Sequence, residues 1–170
     1  MKHLLYSITL LFICALASPA LQAQTMTPVE FNDQVATIKT ELYAKGQAWG
    51  AQYSKVNESA QFSTLAPYRE DLEVYIDEQI AELKKMKDVK NSKALQEALL
   101  DYLVYERKLI SESFKPMESL NAGSNPANKE AVLKTLMENA KLEATALEKV
   151  TTAQNAYAAA NGFKIEDAQK

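Results

Sequence analysis

The stretch TPVEFNDQVATIKTEL, Thr27 to Leu42, holds both a helix start and the beginning of a helical stripe. Thr27 stands as N-cap, Pro28 at the first helical position where its missing N–H is harmless, and Glu30 two residues later, which completes a capping box. Phe31, Val35, Ile38 and Leu42 then recur every three or four residues. That period lines up one face of a helix and would scatter over both faces of a strand. The stripe continues through Trp49, Tyr53 and Val56.

Outward from this helix the pattern repeats. The polar run Asn57 to Ser63 turns the chain, and a second helix starts near Ser63 or Thr64 with Pro67 in its first turn. It is expected to bury Leu65, Tyr68, Leu72, Ile76, Ile80, Leu83 and Met86. KDVKNSK forms the next connection, with Asn91 or Ser92 as cap. The third helix runs through Leu95, Leu99, Tyr102, Leu109, Phe114 and Met117 to Leu120, and Pro116 inside it predicts a kink or an early stop. In NAGSNPAN, Gly123 suits a position just past a helix end and Asn125-Pro126 a cap and first position. The fourth helix follows Leu133, Leu136, Ala140, Leu147, Val150 and Tyr157 to Asn161. It closes on Gly162, in the left-handed position, with Phe163 folding back toward Tyr157. Gln154 falls close to the seam, placed to bond across to another helix. Four long amphipathic helices with short connections predict an all-α, antiparallel up-down four-helix bundle.

The N-terminus reads differently. Met1-Lys2-His3 is a basic start, Leu4 to Leu16 an apolar run, and Ala17 to Ala23 a stretch rich in small residues, which together form a secretory signal peptide. Residues 1–23 are assigned to it and 24–170 to a single bundle domain, with cleavage after Ala23 or Ala20. The expected location is outside the cytoplasm, in the periplasm or at the cell surface. Cleavage after Ala23 removes the single cysteine (Cys14), the single histidine (His3) and Lys2, leaving 18 basic against 22 acidic residues, a charge of −4. Without histidine or cysteine, an ordinary zinc site, a histidine-ligated haem, a disulfide, a thiol nucleophile and an imidazole base are all excluded. No cofactor and no metal ligand set is expected. Mild acidity without a basic block argues against nucleic acid, and no stretch of the mature chain is apolar enough to cross a membrane.

Two motifs, YLVYERKLISESFKPM (Tyr102 to Met117) and AQNAYAAANGF (Ala153 to Phe163), sit within this layout of signal peptide and four helices. In them the chain resembles an uncharacterised family of exported helical "surface proteins" known from Leptospira and Bacteroidetes. The resemblance implies an exported helical protein presented at the surface and supplies no catalytic residues.

Aligning the helices antiparallel gives two candidate sites. Lys45, Gln79, Glu106 and Glu143 fall at similar heights at or beside the seams. They could form a buried polar layer or a carboxylate cation site, or their side chains could reach solvent along the seam margins. Toward the far end of the first helix, Gly46 and Gly50 bracket Trp49, with Tyr53 one turn on and Tyr68, Phe114, Met117 and Met137 supplied by the other helices. That set reads as an apolar ligand pocket, or as close helix contact with the large residues filling the core. The expected function is non-enzymatic: binding or scaffolding outside the cytoplasm, with a protein or a small apolar ligand as partner. The alternatives are a periplasmic chaperone-like, client-holding role and a carrier of a small apolar ligand. An enzyme would have to work with Glu and Tyr alone, through two carboxylates facing one cleft.

Overall fold

The computed structural model describes residues 26–165. They form an all-α four-helix bundle, without strands among the described residues. Helix α1 spans Pro28–Ser59, α2 Ala66–Lys85 and α4 Pro126–Asn161. Between them α3 begins as Lys93–Leu109, passes through a π-helical turn at Ile110–Phe114 and ends as Lys115–Glu118. The signal-peptide assignment lies outside the described residues.

The helix ends follow from local chemistry. Thr27 Oγ1 accepts from Glu30 N–H at 3.2 Å while Glu30 Oε2 accepts from Thr27 N–H at 2.7 Å, the two halves of the capping box. Asn125 Oδ1 accepts from Ala127 N–H at 2.9 Å and starts α4. At its far end Gly162 takes φ +73°, and Phe163 N–H reaches Ala158 O while Gly162 N–H reaches Ala159 O. Phe163 packs edge-on against Tyr157, 6.0 Å between ring centroids, which completes a Schellman stop. Ser92 behaves otherwise than expected of a cap. Fully buried, its hydroxyl accepts from Val89 N–H at 2.8 Å and organises the α2–α3 turn.

The helix continues two residues past Pro116, to Glu118, and a π turn directly precedes the proline. Lys115 N–H bonds five residues back, to Ile110 O, so the coil widens by one residue directly before the proline. A proline has no N–H to give to the carbonyl four residues back, and its ring presses on that turn; the π turn accommodates both defects. Ile110, Ser113 and Met117 remain buried across it.

The core is one cluster running from Phe31 and Tyr157 at one end to Val56, Phe62 and Met117 at the other. Tyr68, expected on the α2 seam, is 38% exposed, and Arg69 occupies that slot instead. The short 3₁₀ turn Phe62–Leu65 packs under α1 and fills the space with Phe62 and Leu65. Arg69 spreads its guanidinium over Glu118 (Nε–Oε1, 2.5 Å), Glu73 (Nη1–Oε2, 2.6 Å) and Glu70 (Nη2–Oε1, 3.0 Å). Arg107 joins through Glu73 (2.9 Å) and Asp77 (3.0 Å), so part of the charged run on α2 ties that helix to α3.

Truncating the centre of this network strands the Glu118 carboxylate, which is mostly shielded from water, and leaves Glu73 to Arg107 alone. Arg69→Met should lower unfolding free energy by about 3 kcal/mol in urea titration with little change in slope. Arg69→Lys should recover less than half of that, because an ammonium cannot serve three carboxylates through a planar fork.

Candidate binding site

The two halves of α4 pack differently. Its C-terminal half buries Val150, Gln154, Tyr157 and Ala158. There α4 meets α1: Phe31 and Tyr157 pack edge to face at 5.6 Å, and Gln154 Nε2 donates to Asn32 Oδ1 at 3.0 Å. Lys39 Nζ donates to Gln154 Oε1 at 3.1 Å, which completes a buried polar clasp between the helices. The N-terminal half of α4 has no fully buried side chain; Leu133, Ala140 and Met137, expected at the seam or the pocket, are exposed. This half is held by α3, where Tyr105 donates its hydroxyl to Asn139 O and Asn139 Nδ2 donates to Ser113 Oγ at 2.8 Å. Drawn toward the π turn, it leaves a gap on the α1 side.

That gap is a cleft of about 500 Å3. Helix α1 lines it with Lys39, Thr40, Leu42, Tyr43, Gly46 and Gln47, α2 with Leu72, and α3 with Tyr102, Glu106, Leu109, Ile110 and Phe114. Glu143 and Leu147 complete it from α4. The position follows from the seams themselves. The core stripe of α3 steps 95, 99, 102, 106, 109, that of α4 143, 147, 150, 154, and that of α1 38, 42, 46, 49. At one level these slots hold Glu106, Glu143 and Gly46, two acids and a residue without a side chain. A layer of the apolar core is missing, and the cleft occupies its place.

The two predicted constellations are therefore redistributed. Of the polar layer, Glu106 and Glu143 share the cleft, whereas Lys45 pairs with Asp71 at 2.6 Å and lies 5.4 Å from the Tyr75 ring centre. Gln79 sits half-buried on α2, away from the cleft. Of the aromatic set, Trp49 is buried in a stack, 3.9 Å from Phe114 and 5.6 Å from Tyr53, with Met117 fully buried in the same cluster. Tyr68 and Met137 do not join it. Phe114 bridges the two groups, with one face on Trp49 and an edge on the cleft. A Cβ added at Gly46 or Gly50 would meet nothing within 4 Å, so these glycines do not mark close helix contact.

Glu106 dominates the electrostatics of the cleft. It is 7% exposed, and its Oε1 has no hydrogen-bond partner among the described residues. Burial, with the Glu143 charge adding to it, pushes its carboxyl up to about 8, against a smaller opposing hydrogen bond from Tyr102. Burial also raises Glu143. Burial raises Tyr102 too, reinforced by the charges of Glu106 and Glu143. Burial lowers Lys39. Among the described residues no group of three or more acids, histidines or cysteines could hold a metal ion.

Two predictions follow from the missing layer. Between about pH 4.5 and 8 the folded chain keeps a proton on Glu106 that the unfolded chain has lost, so this residue's contribution to stability falls as pH rises through that window. Glu106→Gln should stabilise the protein by roughly 2–4 kcal/mol near pH 8.5, an advantage that largely vanishes by pH 5 in urea titrations. Gly46→Ala should stabilise by about 0.5–1 kcal/mol through helix propensity, since a methyl group there enters open space. No family model, curated protein or solved structure matches this chain.

Proposed function

We propose that this is a non-enzymatic, exported binding protein that holds a small, mostly apolar ligand in the cleft between α1, α3 and α4. The observation that carries the reading is the missing core layer: a cavity of ligand size, walled by Leu42, Leu72, Leu109, Ile110, Phe114 and Leu147, with two convergent carboxyls. Export is supported by the signal-peptide pattern of residues 1–23 and by the resemblance to exported helical surface proteins.

Paired carboxyls in an open cleft also invite an acid–base reading. Such chemistry uses two groups whose surroundings push their proton affinities apart, one kept protonated and one ionised. Here burial drives Glu106 and Glu143 in the same direction, so neither is set apart from the other as acid or base. Binding fits these surroundings better than catalysis. A second reading, client binding, draws on the exposed Leu133 and Met137, neighbours one turn apart on α4.

Trp49, the single tryptophan, packs against Phe114 and so reports on the cleft wall. Native mass spectrometry of the protein from its exporting cell should detect a bound small molecule whose gentle removal shifts Trp49 emission. A clean apo mass, with emission unmoved by added apolar compounds, would overturn the ligand reading in favour of protein clients.

A further inference from the structure

Granted that the cleft is a binding site, its polar groups specify the charge of what it takes. Glu106 lines the cleft from a core slot, more than nine-tenths buried, and its Oε1 is a buried acceptor without a hydrogen-bond partner among the described residues. A bare buried acceptor costs free energy that a donor from outside would recover. The cations nearby are committed elsewhere: Lys39 on α1 gives its ammonium to Gln154, and Arg107 on α3 turns to Glu73 and Asp77. The remaining titratable groups facing Glu106 are Tyr43 at the α1 rim, Tyr102 on its own helix and Glu143 on α4, while α2 presents only Leu72. Thr40 and Gln47 add neutral polar side chains on the α1 wall, and the leucines, Ile110 and Phe114 give hydrocarbon that would cover an apolar body.

We propose that the cleft binds amphiphilic organic cations, a protonated amine on an aliphatic or aromatic body, with the ammonium donating N–H bonds to the Glu106 and Glu143 carboxylates. The body lies along Leu42, Leu109 and Phe114, in the space that Gly46 leaves free. Binding is proton-linked: the Glu106 carboxyl releases its proton to solvent as the ammonium arrives, so the buried carboxylate is never left unpaired. An alkyl carboxylate would bring a further negative charge among the cleft's acids and draw no proton from Glu106, and an alcohol would offer Glu106 a single neutral donor.

The test is titration calorimetry near pH 7 with n-octylamine, n-octanol and n-octanoate, followed in parallel by Trp49 emission. Octylamine should bind at least about tenfold more tightly than either analogue. Buffers of different ionisation heat should report release of about one proton per amine bound. Glu106→Gln should weaken octylamine about tenfold and abolish the proton release, and Glu143→Gln should weaken octylamine in the same direction. Equal binding of amine and alcohol, or tighter binding of octanoate, would overturn the cationic specificity while the apolar site stands. No heat and no change in Trp49 emission with any of the three probes would overturn both.

Discussion

The architecture depends on the polar clasp in which Gln154 bonds Asn32 and receives the Lys39 ammonium, because it joins α1 to α4 beside the buried Phe31, Val150 and Tyr157. Amide groups buried at a helix interface must be paired, and pairing them fixes both the rotation and the height of the two helices. Beside the clasp, Phe31 packs on Tyr157, whose hydroxyl donates to Val89 O in the α2–α3 turn at 2.7 Å. Three of the four helices are thus registered at one end by side chains of α4's last turns.

At the other end α4 answers to α3 instead. The π turn before Pro116 brings Ser113 within reach of Asn139, and Tyr105 holds the backbone of the same residue. A helix anchored to α1 at its C-terminal end and to α3 at its middle cannot also close on α1 there. The cleft is the geometric remainder, and the residues at its level suit it: a large apolar side chain at position 46, 106 or 143 would fill it.

The regular elements were legible in the sequence because their causes are local. Thr27 with Glu30, Asn125 with Pro126 and Gly162 with Phe163 carry their helix ends within a few residues, and the apolar stripes carry the faces. The interruptions were harder to place. Reading apolar residues alone assigned Tyr68 to a slot that Arg69 fills, since the partner that makes a buried arginine tolerable, Glu118, lies 49 residues away. Glu106 and Glu143 were visible as seam neighbours, but their burial depends on how far α4 leans toward α1. The one-residue shift at Ile110–Phe114 that sets this lean had only Pro116 as its trace. Gly46 and Gly50 looked alike whether facing a neighbour or a void; only the opposite helix decides.

The clasp also orders the events of folding. Asn32 and Gln154 are separated by 122 residues, so their bond closes a loop spanning most of the chain, whereas α2 and α3 meet across a short turn. Loop-closure entropy favours the short α2–α3 hairpin as the early structure and leaves the α1–α4 contact among the late ones. During synthesis Asn32 emerges long before its partner. Until Gln154 arrives, α1 can lie on α2 while its face toward α4 stays open from the clasp to Gly46. The mature cleft is the part of that face which the last helix never covers.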